Sequence, residues 1–212
     1  MVTVSWPATP EPPIPFEPRS GILDAGTVLQ RVHSNRFRPN QFNPGPKGAG
    51  RFHFFGDPAV PALYLAETRE AALAETLLHD VPVGAPAPLP RSIYANSVLA
   101  GLELKRPIRV AEFFGLGLRV LGVEASQLTD TPMDNYPQTR KWAHAAHDAG
   151  FDGIGWMSKR DNSARAYMLF GDRVQEDHLD VVPGSGLAFA AADGFSWLVN
   201  ICAPLKIDVL AR

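Results

Sequence analysis

Ala62-Leu63-Tyr64-Leu65-Ala66 is an unbroken apolar run of strand length with Pro61 in front of it. That pattern predicts a short, buried strand. Thr68 then stands where an N-cap belongs, with Glu70 in the first turn. From Ala71 to Leu78 every residue except Glu75 and Thr76 is Ala or Leu, which predicts a helix. Ala71, Ala74 and Leu78 recur at helical spacing, and Glu75 falls inside the apolar stripe they make. A carboxylate on a buried helix face is costly unless something pairs with it or uses it. Glu75 is therefore either solvated at the edge of the stripe or a working group.

The remaining periodicities are mixed. Thr27 to His33 alternates as a strand, with Leu29, Arg31 and His33 on one face and Val28, Gln30 and Val32 on the other. Neither face is cleanly apolar, so Arg31 reads first as an exposed strand residue. Ser92–Leu99 and Ile108–Phe114 are strand-like, and Leu116–Val123 fits either period. Gln138 to Ala149 predicts a helix with Trp142, Ala145, Ala146 and Ala149 on one face and Gly150 as its stop. Asp152–Met157 and Ala164–Phe170 read as two strands joined by a turn over Lys159–Ser163. Strands and helices alternate irregularly, which predicts an α+β fold with a mostly antiparallel sheet and flanking helices.

The Pro-rich residues 1–20 lack periodicity and read as an arm. A single domain would then span residues 21–183. The apolar, Gly-punctuated residues 184–212 would be an extension that completes the sheet or covers an edge. Residues 34–50 form a loop carrying Arg36, Arg38 and Lys47, with Arg51 just beyond it. It is either a local anion site or a solvated loop.

Composition narrows the function classes. The chain has 212 residues and a formal net charge of -2, which gives no electrostatic case for direct binding of nucleic acid or of an anionic membrane. One cysteine, Cys202, fits a packing role in a reducing cytoplasm. No run approaches a membrane span. The six histidines are scattered; His144 and His147 lie three apart on one helix, but no acidic or cysteine ligand obviously converges on them, so no metal is predicted. A Ser–His–Asp hydrolase lacks its Gly-x-Ser-x-Gly elbow.

Taken in order, Arg31, Gly50-Arg51-Phe52, Tyr64-Leu65-Ala66, Glu75, Tyr136–Ala143, Phe151–Ser158 and Leu169–Arg173 resemble the motifs of RES-domain proteins, the toxins of bacterial RES–Xre toxin–antitoxin pairs. The likeness covers roughly residues 25–175. It implies a fold akin to the ADP-ribosyltransferase toxins, cleavage of NAD+ at the nicotinamide–ribose bond, growth arrest, and neutralisation by an Xre-type antitoxin that blocks the active site. NAD+ is then substrate, with water or phosphate as acceptor and no other cofactor. The resemblance assigns Arg31 and Glu75 to the family's named Arg and Glu. Pro137 stands at the position of the named Ser, leaving Thr139 or Ser158 to supply the hydroxyl. Val32 and Phe52-His53 also depart from the common pattern.

The residue types suit that chemistry. The leaving group is a pyridinium that departs as neutral nicotinamide, so no general acid is needed. One carboxylate, Glu75, can stabilise the oxocarbenium-like ribose, more strongly where the local dielectric is low. Arg31 and Arg51 can grip a diphosphate in planar, bidentate fashion. Tyr64 can offer a ring to nicotinamide or adenine, or be a core tyrosine. Thr139 and Ser158 can orient a ribose hydroxyl or a water, or serve as cap and turn residues. A mono-ADP-ribosyltransferase acting on protein and a non-catalytic partner-binding module are the rival readings. Each leaves homo-oligomerisation open.

Overall fold

The computed structural model describes residues 6–45, 50–84 and 86–212; Lys47 of the basic loop and residues 1–5 of the arm lie outside them. In chain order the elements are β1 (Ser20–Leu23), β2 (Val28–Ser34), β3 (Ala62–Ala66), α1 (Arg69–Thr76), β4 (Ala87–Leu89), α2 (Arg91–Tyr94), β5 (Ser97–Leu104), β6 (Ile108–Phe113), α3 (Leu116–Leu121), α4 (Ala125–Leu128), α5 (Tyr136–Asp148), β7 (Gly153–Met157), β8 (Arg165–Phe170), β9 (Leu179–Val181), β10 (Leu187–Ala188), α6 (Ala192–Cys202) and β11 (Ile207–Val209). Among the described residues, one sheet runs β1-β6-β7-β8-β3-β2-β5-β10, with β9 also on β5. Within it only β6 and β7 pair in parallel. A separate pair, β4 and β11, is parallel as well. The fold is α+β with a mostly antiparallel sheet and flanking helices, as the mixed periodicities predict.

The sheet separates two apolar clusters. Val32, Ala66, Trp156, Ile154 and Met168 look toward the helices and share a core with Ala71–Leu73 of α1 and Trp142 of α5. Leu29, Leu63, Leu65, Tyr167 and Leu169 look the other way. This is the two-residue alternation of a sheet buried on both sides. The Ala-rich stripe of α1 lies against the sheet, with Ala71 to Ala74 all buried. Thr68 caps the helix by accepting from the Ala71 amide at 3.0 Å, a contact worth about 1 kcal/mol.

One reading of the periodicity needs correction. Ser92–Leu99 is not one strand: Arg91–Tyr94 is a helical turn, and β5 begins at Ser97. The buried Tyr94 hydroxyl donates to the Leu210 carbonyl at 2.7 Å, and this distant partner fixes the turn. The C-terminal segment holds an amphipathic helix, α6, whose Leu198 and Cys202 join the main core. The described part of the arm packs on the domain. Trp142 Nε1 donates to the Pro10 carbonyl at 2.8 Å, and Phe16 packs edge-on against Phe113 and Trp142. Among the described residues, no helix is long and apolar enough to cross a membrane.

One irregularity of the sheet matters most. β2 pairs with β5 along its whole length but meets β3 only at Gln30 and Ala66. Beyond that point β2 and β3 part. Asn43 of the long loop takes the place beside Ala62, exchanging backbone hydrogen bonds of 2.8 and 3.0 Å with it. The loop over residues 35–61 thus enters the split in the sheet.

Candidate active site

A cavity of about 390 Å³ opens at this split. Arg31, Arg51, Tyr64 and Glu75 all line it, together with Gln30, His53, Tyr136 and Trp156. Four of the six residues singled out in the sequence therefore meet around one space. The other two, Ser158 and Thr139, stand one layer behind.

Glu75 projects from the last turn of α1 and is half-buried. Its Oε1 accepts from the Ser158 hydroxyl at 2.7 Å and its Oε2 from Trp156 Nε1 at 3.3 Å. Both donors come from the end of β7, where Ser158 has no solvent exposure and Trp156 almost none. The Ser158 oxygen in turn accepts from the Asp161 amide at 3.2 Å, so the hydroxyl proton is committed to Glu75. Two donors fix the direction of the carboxylate. Among the described residues it is the one carboxylate lining the cavity.

The basic groups are held differently. Arg31 donates through Nη1 to the carbonyls of Pro39 and Gln41, the latter at 2.8 Å. Burial pushes its pKa down to about 10, with Glu176 pulling against the shift. It is not the exposed strand residue its alternation suggests: it pins the incoming loop at the parting of the strands. Arg51 has its Nε buried without a hydrogen-bond partner among the described residues, and its guanidinium lies 5.8 Å from the centre of the Tyr136 ring. Its backbone carbonyl accepts from the Thr139 hydroxyl, which also donates to the Tyr136 carbonyl at 3.2 Å. Thr139 is fully buried in the first turn of α5 and outside the cavity lining. Pro137, at the family's Ser position, is exposed in that same first turn, where a missing N–H costs nothing.

Tyr64 is walled by His53 and Trp156, with ring centres 5.1 and 5.8 Å away. Its hydroxyl lies 2.7 Å from His53 Nδ1. Burial raises the phenol pKa above its ordinary value, with Arg51 opposing. Burial, with help from Arg140, pushes His53 down to about 4, so both rings are neutral near pH 7. Gly50 allows this packing: a Cβ there would lie 2.1 Å from the His53 ring. His147 also departs from expectation. It is mostly buried, with Nε2 2.7 Å from the Asp172 carboxylate, a partner that sequence separation hid.

The family model described as the RES domain matches residues 28–191. The chain belongs to the RES-domain family. No curated protein matches it. Among solved structures, a chain in the crystal structure of the M. tuberculosis MbcT-MbcA toxin–antitoxin complex is similar with a TM-score of 0.56 and 15% identity, covering 76% of this chain and 84% of that one. At that identity the likeness concerns the fold. Within this RES domain, the cavity, the split between β2 and β3 and the Glu75 clamp all fall inside the matched residues. Gln30, His53 and Trp156 escaped attention in the sequence. Trp156 lies two residues before Ser158 in a quoted motif, and alternation would have paired them on one face.

Proposed function

We propose that this RES domain is the toxin of a type II toxin–antitoxin pair and that it depletes NAD+ by breaking the nicotinamide–ribose bond. The observation that carries the reading is the clamped carboxylate of Glu75 on the wall of a cavity that also holds Arg51, Arg31 and Tyr64. In the step proposed, the C1′–N1 bond breaks heterolytically and its electron pair goes to the ring nitrogen. The pyridinium charge is thereby cancelled and neutral nicotinamide leaves. Positive charge appears on the ribose, where Glu75 stabilises it. Water or phosphate then attacks C1′; water gives up a proton to solvent and yields ADP-ribose, whereas phosphate yields the 1-phosphate. Arg51, with an unpartnered donor, suits the diphosphate. Arg31 contributes field and shape more than hydrogen bonds, since Nη1 already serves Pro39 and Gln41.

The partner in this reading is a cognate Xre-type antitoxin that covers the cavity mouth, and the compartment is the cytoplasm, where NAD+ is found. The similarity in fold to a chain from a toxin–antitoxin complex supports it. The test is NAD+ concentration over time with purified protein, with and without phosphate, beside Glu75→Gln. NAD+ loss with nicotinamide release in the wild type alone is expected, and the phosphate dependence names the acceptor. Stable NAD+ in the presence of well-folded protein overturns the reading. Transfer of labelled ADP-ribose to a protein would replace it with the transferase alternative.

A further inference from the structure

Gln30 is a polar residue with no assigned task at the narrowest part of the split. Its backbone is held on both sides, paired with Ala66 of β3 and Gly101 of β5. It lines the cavity, and its Oε1 is buried without a hydrogen-bond partner among the described residues. A buried amide carbonyl normally finds a donor, and a strand pinned in two ladders cannot turn this one away. Whichever way the amide is rotated, it presents one acceptor and one pair of N–H donors side by side. The chemical complement of that edge is another primary carboxamide, which offers a donor beside an acceptor in the matching order.

From this we infer that Gln30 is a specificity-determining residue that reads the carboxamide of the substrate's leaving ring by amide-to-amide pairing. The inference rests on the NAD+ reading above and deepens it. At about 390 Å³, the cavity lies at the small end of the range for ligand pockets, roughly 300–1,000 Å³. It suits the nicotinamide–ribose end of a dinucleotide and leaves the adenosine end outside. The ring that enters must also lie one bond from the ribose carbon that Glu75 faces. Gln30 and Glu75 line this one space together with Ala72 and Tyr64, and α1, which carries Glu75, packs against β2, which carries Gln30. The end of the substrate that reaches the buried amide is therefore the nicotinamide end. An adenine edge can also be read by a glutamine, so the test separates the two.

The experiment compares kcat/KM for NAD+, for its deamido analogue with a carboxylate in place of the amide, and for its hypoxanthine analogue. Wild type, Gln30→Leu and Gln30→Glu are used, with folding checked by circular dichroism. The wild type should prefer NAD+ over the deamido analogue by roughly 10–100-fold, the value of a lost hydrogen-bond pair in a buried site. Gln30→Leu should bring the two within about threefold, and Gln30→Glu should widen the gap through carboxylate repulsion. An unchanged ratio in Gln30→Leu overturns the inference, as does a shift in the adenine-to-hypoxanthine ratio instead. Binding of free nicotinamide against nicotinate, read by saturation-transfer NMR, keeps the two readings distinguishable. If the wild type turns over no dinucleotide, the activity reading fails. A Gln30-dependent preference for nicotinamide would then still support the carboxamide site, and its absence would overturn it.

Discussion

The two walls of the cavity are built on different principles. On one side, Glu75 is clamped by side chains, Ser158 and Trp156, that project from the end of a strand. On the other, Arg31 and Arg51 belong to the middle of a strand and to a loop that are tied through backbone carbonyls: Pro39 and Gln41 accept from Arg31, and the Arg51 carbonyl accepts from Thr139. The acidic wall has its charge aimed by hydrogen bonds to the charge itself. The basic wall has its chain fixed while the Arg51 Nε has no hydrogen-bond partner among the described residues. A fixed negative charge suits a reacting carbon that must be met at one point, whereas a guanidinium with an unused donor suits a flexible diphosphate.

That contrast separates kcat from KM. Glu75→Gln keeps size and hydrogen bonding but removes the charge, and kcat should fall by about 10²–10³ with little change in KM. A fall in KM affinity alone would place Glu75 in binding and erase the contrast. Arg51→Met should act the other way, raising KM by roughly 10–100-fold, the value of charge-assisted hydrogen bonds, with kcat changed much less. Steady-state kinetics on the two variants, with nicotinamide release as readout, decides it.

The residues behind each wall sharpen the comparison at smaller amplitude. Ser158→Ala removes one of the two donors to Glu75 and should cost about 10-fold in kcat with little change in KM, because the carboxylate loses a bond that aims it. Thr139→Val removes the hydroxyl that donates to the Arg51 carbonyl, whereas the Tyr136 carbonyl keeps Arg140 Nε as a donor. It should cost about 1–3 kcal/mol in stability and raise KM with little change in kcat. Thermal melting and steady-state kinetics of both variants separate the effects. Equal falls in kcat would mean that the two walls are coupled.

Legibility in the sequence followed the same division. The acidic wall sits on regular elements, so β3, the cap at Thr68 and the odd carboxylate in an Ala stripe were all readable from spacing. The helix of residues 138–149 and the hairpin after it were readable for the same reason, with Gly150 at φ +83 ending the helix. The basic wall depends on a loop and on where two strands part. No local period encodes that Asn43 will displace β2 from the edge of β3, and Arg31 alternates like an exposed residue until the loop closes over it. The helical turn at Tyr94 was not legible because its partner, Leu210, lies far along the chain. Thr139 and Ser158 could be nominated as hydroxyls, but only geometry shows that one serves a backbone carbonyl and the other serves Glu75.

His53 links the two walls, being next to Phe52 on the loop side and bonded to Tyr64 in the strand, and its effect is the smallest. Burial first, and Arg140 second, hold its pKa near 4, whereas an unfolded chain takes up that proton near 6.5. Between these values the unfolded state binds more protons, so the His53 contribution lowers stability as pH drops from about 6.5 to about 4 and is constant below that. His53→Asn keeps a polar group beside the Tyr64 hydroxyl and removes the titration. At pH 7 it should change NAD+ turnover only by about 3-fold, because a neutral hydrogen bond between ring and hydroxyl is worth roughly 0.5–1.5 kcal/mol. The decisive quantity is the difference in melting temperature between pH 7 and pH 4.5, in which His33, also lowered by burial, contributes equally to both proteins. The wild type should lose more than His53→Asn over that interval. Equal losses would mean that the His53 ring takes its proton as readily in the folded protein as outside it, and that the Tyr64 hydroxyl is held by something other than a neutral imidazole.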